Sequence, residues 1–277
     1  MPTIAQCLKR SEELLSVSDS AELDIQLLLA YCVAQSRTFL MTWPERELTA
    51  AQLSAFDRLV ERRKEGEPIA YLIEQQGFWS LDLRVLPTTL IPRPETELLV
   101  EQALAFLSAK SLSKILDLGT GSGAIALAMA KELPGAKVLG VDVDHASIAL
   151  AKDNAVRNNI GNVSFEQSNW YAGLSGLFDI IISNPPYIAA DDPHLGQGDV
   201  RFEPTRALVA GSDGLTDLRI IISEAPAYLQ AGGALMVEHG YDQKQAVSQL
   251  FKQSQFVEIS CYQDLAGQDR ITVGVKP

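Results

Sequence analysis

Two short runs carry residue types suited to group-transfer chemistry. The first is Asp117-Leu118-Gly119-Thr120-Gly121-Ser122-Gly123, which leaves one apolar run and enters an alanine-rich one. Glycines at this spacing let the backbone turn sharply and approach a ligand with no Cβ in the way. A helix starting there aims its first amides into the turn. Further along, a second apolar run ends in Val141-Asp142-Val143-Asp144. A carboxylate at such a point can accept both hydroxyls of a ribose. Gly119, Gly121 and Ala124 also satisfy a dinucleotide-binding fingerprint. The turn by itself therefore leaves NAD, FAD, S-adenosylmethionine and a purely structural role open. Asp117 tilts the choice toward S-adenosylmethionine, because a carboxylate suits a cationic amino-acid moiety and not a pyrophosphate.

The second run is Asn184-Pro185-Pro186-Tyr187, directly after the apolar stretch Phe178–Ser183. The prolines restrict φ and remove two backbone donors, leaving a rigid turn. Asn184 Oδ1 and the Pro185 carbonyl are two acceptors suited to one planar NH₂ group with two hydrogens to donate. Tyr187 offers an aromatic face over the same spot. The competing reading is an ordinary turn with a core tyrosine. Ligands gather where strands end at the carboxyl edge of a doubly wound sheet, and that favours function.

Those runs need elements to position them. From Ile4 to Glu67 apolar residues recur at three and four, which predicts a small helical bundle over residues 1–75. Ser20 is placed to cap its second helix, and a later helix runs from Gln52 to Lys64 after Thr49. From Gln75 to Leu86 the period falls to two, a short β-hairpin, and residues 76–92 read as a linker punctuated by Pro87 and Pro92. Residues 93–277 then alternate. Helices are expected at Glu95–Ala109, Ala124–Leu133, Ala146–Asn158 and Leu215–Gln230. Strands are expected at Lys114–Leu118, Lys137–Val143, Val163–Gln167, Phe178–Ser183, Ala234–Glu238, Val257–Tyr262 and Ile271–Val275. This predicts an α/β fold with a Rossmann-like, doubly wound, mostly parallel seven-stranded sheet. No helix separates the last two strands, so the final one should be antiparallel.

Composition narrows the class. Lys and Arg number 23 against 35 Asp and Glu, a formal net charge of −12, and 47% of residues are hydrophobic. That excludes a disordered chain and disfavours nucleic acid as a direct partner. The three cysteines form no C-x-x-C pair, and His145, His194 and His239 lie far apart, so neither disulfides nor a metal are expected. No apolar run is long enough for a membrane span, and Met1–Ser16 does not read as a signal peptide, so a cytoplasmic protein is expected.

Asp117–Gly123, Asp142 and Asn184–Tyr187 together resemble the S-adenosylmethionine-dependent amino-group methyltransferases of class I. Leu90-Ile91-Pro92-Arg93-Pro94-Glu95-Thr96-Glu97, Arg201-Phe202-Glu203-Pro204 and Glu238-His239-Gly240 are similar to segments of the peptide-chain release factor glutamine methyltransferases. The resemblance spans essentially the whole chain. It implies methylation of the glutamine side-chain amide in the Gly-Gly-Gln loop of class-1 release factors, with S-adenosylhomocysteine as product. It also implies that residues 1–75 recognise the substrate. By the same resemblance Gly119, Thr120, Gly121, Ser122 and Gly123 wrap the methionine part of the cofactor. Asp142 takes the ribose, Trp170 lies beside the adenine, and Asn184 touches both cofactor and substrate. Asn184, Pro185, Pro186 and Tyr187 form the amide clamp. Relatives carry Asp before that tryptophan; Asn169 stands here and leaves its role at the adenine open. A ribosomal-protein glutamine methyltransferase and a DNA or rRNA amino-methyltransferase remain alternatives, as does a non-catalytic cofactor-binding module.

Overall fold

The computed structural model describes residues 1–108 and 112–277. They cluster into two units, Met1–Gln75 with Pro193–Phe202, and Gln76–Asp192 with Glu203–Pro277.

The first unit is helical: α1 (Ile4–Leu8), α2 (Ala21–Val33), α3 (Arg37–Thr42), α4 (Ala50–Lys64) and α5 (Ile69–Leu72). Its core gathers Ile25, Leu28, Leu29, Leu40, Phe56 and Val60; on α2 the buried face is that of Ile25, Leu28 and Leu29, while Leu23 and Tyr31, which share the three-and-four spacing with Leu27, are exposed. Thr49 and Gln52 cap α4 reciprocally, so the helix begins at Ala50 and not at Gln52. Ser20 stands at the start of α2 but makes no cap bond. Its hydroxyl donates instead to Asp24 (3.2 Å). Asp24 is buried and accepts from Arg63 at 2.8 Å. Segment 193–202 joins this unit through Arg201, which donates to the Glu65 carbonyl (3.0 Å). Gly66, at φ +94°, has no room for a Cβ because the Arg201 guanidinium fills that space.

The second unit starts with the hairpin β1 (Gln76–Phe78) and β2 (Leu81–Leu83). There follow α6 (Glu97–Leu107), β3 (Lys114–Leu118), α7 (Ala124–Glu132), β4 (Lys137–Asp142), α8 (His145–Arg157), β5 (Val163–Gln167) and β6 (Phe178–Ser183). Then come α9 (Thr216–Glu224), β7 (Leu229–Glu238), α10 (Lys244–Gln253), β8 (Val257–Gln263) and β9 (Asp269–Val275). Among the described residues the large sheet has seven strands in the order β5-β4-β3-β6-β7-β9-β8. β9 runs antiparallel to both its neighbours, and the others pair in parallel. Strand residues alternate between two cores. Ile115, Val138, Ile180, Ile182 and Met236 pack with α6, α7 and α8. Leu116, Leu118, Ile181, Leu235 and Val237 pack with α9 and α10. Both faces are covered, which is why these strands read as continuous apolar runs.

One expected element is divided differently. The helix read as Leu215–Gln230 ends at Glu224, followed by a single 3₁₀ turn over Ala225–Ala227. Pro226 has no N–H to continue the ladder. Leu229 is already strand, so β7 is longer than Ala234–Glu238, with a register shift opposite Phe178–Ile180. Helix α6 is described to Leu107; the end expected at Ala109 lies outside the described residues.

Candidate active site

The chain order reverses between β3 and β6, with β4 on one side and β6 on the other. Loops leaving the carboxyl ends on either side of such a reversal diverge and leave a crevice. Here a cleft of about 230 Å³ opens there, lined by Gly119, Thr120, Gly121 and Ser122 after β3, Asp142 at the end of β4, Ser168, Asn169 and Trp170 after β5, and Asn184 and Pro186 after β6. Residues a long way apart in sequence thus share one wall.

The glycine turn is held from behind. Gly119, Gly121 and Gly123 all have positive φ, a region that Cβ-bearing residues avoid. The Asp117 carboxylate is fully buried and does not face the cleft, contrary to the reading of it as partner for a cationic ligand group. Its Oδ2 accepts from Thr120 Oγ1 (2.6 Å) and from the Ala126 amide (3.2 Å). It therefore caps α7, whose own N-cap, Gly123, has no side chain. Burial pushes this carboxyl up to about 7, against the opposing pull of those two hydrogen bonds. Asn154 ties the other side, donating to the Ser122 carbonyl (2.9 Å) and exchanging bonds with the Arg84 backbone. A Cβ on Gly123 would meet Ala151, Leu127 and Phe165 within 3.1–3.3 Å. Gly123 thus serves helix packing and is not on the cleft wall.

Asp142 accepts from the Gly121 amide through Oδ2 and from the Asp144 amide through Oδ1, both at 2.9 Å. Each carboxylate oxygen keeps a lone pair for a further donor, as a ribose diol requires. Burial raises its pKa. Trp170 has φ +49° within a turn where Ser168 Oγ reaches the Trp170 and Ala172 carbonyls at 2.8 Å each. The indole shares the cleft wall with Asp217, whose carboxyl is pushed up by burial and pulled down by the neighbouring Trp170. Its ring lies 3.4 Å from where a Cβ of Gly119 would stand. The glycine and the tryptophan form one surface.

At the Asn-Pro-Pro-Tyr turn, Asn184 Oδ1 is buried with no hydrogen-bond partner, whereas Nδ2 donates to Thr96 Oγ1 (3.0 Å). An orphaned buried acceptor on a cleft wall is costly unless a ligand completes it. Pro185 is buried, and the Tyr187 hydroxyl turns to Glu238 Oε1 (3.2 Å). Burial pushes the Tyr187 phenol far up.

Comparison with known proteins decides the family. The chain is 52% identical over 275 residues to a release factor glutamine methyltransferase of Pseudomonas aeruginosa, covering 99% of each chain. It is 49% identical over 276 residues to one of Aliivibrio fischeri, covering 98% of this chain and 97% of that one. The chain belongs to the release factor glutamine methyltransferase family. Residues 6–73 match the PrmC N-terminal domain and residues 94–198 the methyltransferase small domain. The fold is also that of solved methyltransferases. One from Pyrococcus furiosus has TM-score 0.53 at 20% identity, covering 80% of this chain and 98% of that one. The Thermus thermophilus 16S rRNA N2 G1207 methyltransferase has TM-score 0.56 at 20% identity, covering 73% and 50%.

Several residues of the site have no role in the sequence reading of this family member. Glu238 is buried and accepts from Thr96 Oγ1 at 2.7 Å as well as from Tyr187. Glu203, buried, accepts from Arg93 (2.7 Å) and the Ile91 amide (3.4 Å), and so fixes the backbone beside Leu90 and Pro92 on the cleft wall. Arg206 lines the cleft, pairs with Asp144 (2.8 Å) and donates to the Thr88 carbonyl. Thr88 and Asp217 line it too. His239 is buried; Nδ1 donates to the Gly240 carbonyl, leaving Nε2 to accept from Thr272, both at 2.8 Å, a structural arrangement. One signal for Glu238 was present. β6 and β7 are parallel neighbours, with Ser183 opposite Val237. Glu238 must therefore end beside Asn184, on the sheet edge where ligands bind.

Proposed function

We propose that this chain transfers a methyl group from S-adenosylmethionine to the side-chain amide nitrogen, N5, of the glutamine in the Gly-Gly-Gln loop of class-1 peptide chain release factors. The observation that carries the reading is the orphaned, buried Asn184 Oδ1 on the same cleft wall as the glycine turn and the Asp142 carboxylate. The substrate named by the close relatives in Pseudomonas aeruginosa and Aliivibrio fischeri agrees with it.

The residues present fit the cofactor. Gly119, Thr120, Gly121 and Ser122 would lie along its methionine part, Asp142 at the ribose, Trp170 at the adenine and Asn184 beside the methyl group. When bound, the sulfonium supplies an electrophilic methyl that needs no prior deprotonation of its acceptor. The chain's own task is to make an amide nitrogen act as a nucleophile although its lone pair is conjugated with the carbonyl. Asn184 Oδ1 accepts one N–H of the glutamine amide and the Pro185 carbonyl the other. Holding the nitrogen in line with the methyl removes the entropy of encounter. The two acceptors also stabilise the positive charge that develops on nitrogen. One N–H proton leaves to solvent after transfer, so nitrogen keeps its valence and S-adenosylhomocysteine departs. Pro186 and Tyr187 make the turn rigid, and residues 1–75 give the factor a second surface to grip.

The reaction belongs with translation in the cytoplasm. No helix among the described residues is long and apolar enough to cross a membrane, and no three His, Cys, Asp or Glu residues among them converge as metal ligands. The test is transfer of labelled methyl, in parallel, to purified release factors, a Gln→Ala variant of the factor loop, ribosomal proteins and DNA. Label confined to factors with the intact glutamine is the expected outcome. Label in a ribosomal protein or DNA, and none in the factor, refutes the assignment.

A further inference from the structure

An asparagine can present either its oxygen or its NH₂ to a ligand, and only the oxygen can accept from an amide nitrogen. What holds Asn184 the right way round lies outside the Asn-Pro-Pro-Tyr run. Its Nδ2 donates to Thr96 Oγ1 at 3.0 Å. Thr96 spends its one hydroxyl proton on Glu238 Oε2 at 2.7 Å. Glu238 Oε1 accepts from the Tyr187 hydroxyl at 3.2 Å. An ionised carboxylate only accepts, so Thr96 has only lone pairs left for Asn184. The amide must therefore turn Nδ2 to Thr96, which leaves Oδ1 buried and unpartnered on a residue that lines the cleft. Flipped, the asparagine would set acceptor against acceptor, its Oδ1 against the Thr96 lone pairs.

We propose that Glu238, acting through Thr96, is the positioning residue that fixes the orientation of the Asn184 amide and so makes Oδ1 the acceptor for the substrate nitrogen. The proposal rests on the functional reading above. It also explains why a carboxylate is buried at the end of β7, where Tyr187 donates to one oxygen and Thr96 to the other. The groups that face it are Thr96 and Glu95 from the turn before α6, Tyr187 from the turn after β6, and Arg270 from β9. Burial pushes its carboxyl up to about 7, against Thr96, Tyr187 and Arg270. Once protonated, Glu238 can donate to Thr96, and the chain of bonds loses its imposed direction. Turnover should accordingly rise with pH through this range.

The test uses the full-length enzyme and intact release factor, with kcat, the factor's KM and the Kd for S-adenosylmethionine measured from about pH 6 to 9. Thr96→Val removes the hydroxyl at nearly constant shape. It should lower kcat roughly tenfold, leave the cofactor Kd within about twofold and abolish the low-pH limb of kcat. Thr96→Ser should recover most of the loss. Glu238→Gln, which can donate as well as accept, should lower kcat and abolish the same limb. Thr96→Val with wild-type kcat, or with the limb unchanged, overturns the proposal. A loss of cofactor binding parallel to the loss of kcat, or no recovery in Thr96→Ser, marks Thr96 as merely structural and overturns it too. Labelling of the factor by the wild-type enzyme in the same assay tests the functional reading separately.

Discussion

Gly121 and Gly123 look equivalent in sequence, yet alanine at each should fail in a different way. Both have positive φ, +55° and +86°, so a Cβ at either position strains the backbone by about 1–2 kcal/mol. They differ in what the new methyl meets. At Gly121 nothing lies closer than the Gly119 carbonyl at 4.0 Å, and the residue lines the cleft. At Gly123 the methyl presses on Ala151 Cβ and Leu127 Cδ1 at 3.1 Å and on Phe165 Cζ at 3.3 Å. Overpacking of that kind adds about 1–3 kcal/mol. Gly123→Ala should therefore lose about 2–5 kcal/mol of stability, while its folded molecules bind S-adenosylmethionine within about threefold of wild type. Gly121→Ala should lose only about 1–2 kcal/mol but bind the cofactor at least roughly tenfold more weakly, because the methyl occupies ligand space. Urea unfolding gives the first quantity and titration calorimetry the second. Normal cofactor affinity in Gly121→Ala, or wild-type stability in Gly123→Ala, would refute the division between cradle and packing.

Asn184→Ala should lower methyl transfer roughly 100- to 1,000-fold, the effect of removing a preorganised charge-stabilising group, with only a modest change in cofactor Kd. Near-normal turnover in single-turnover assays would remove Asn184 from the reaction. The raised Asp117 carboxyl makes a statement about stability. Folded, it holds its proton up to about 7, whereas its ordinary value is 3.8. Its contribution is thus fully present below the unfolded value, falls as pH rises and levels off above about 7. Asp117→Asn should flatten that part of the melting temperature's pH dependence, and an unchanged slope would contradict its burial as a proton-holding cap. The net charge of −12 should draw the chain to a basic, RNA-facing partner. Association with release factor, followed by stopped flow, should slow as salt rises; a salt-independent rate would discard electrostatic steering.

The motifs were legible because they are local. Glycines that take positive φ, prolines that stiffen a turn and apolar runs buried on both faces are written into a few consecutive residues. Even the boundary errors were local competitions. Pro226 ended α9 early, and the Ser20 hydroxyl preferred Asp24 to the backbone of α2. Asp117 was misread for a different reason. Next to the glycine turn in sequence, it faces the interior in space, where α7 lacks a capping side chain.

By itself, then, the sequence determined a doubly wound sheet, a helical unit before it, a glycine turn and a rigid Asn-Pro-Pro-Tyr turn after a buried strand, since period and backbone restriction act over short spans. The tertiary structure alone decided which atoms meet. It set the Trp170 ring against Gly119, moved Gly123 off the cleft, and brought Thr96 to Asn184 across 88 residues of chain and to Glu238 across 142. The direction of a hydrogen bond depends on what its partner's other bonds are doing, and those partners are neighbours only once the strands have paired.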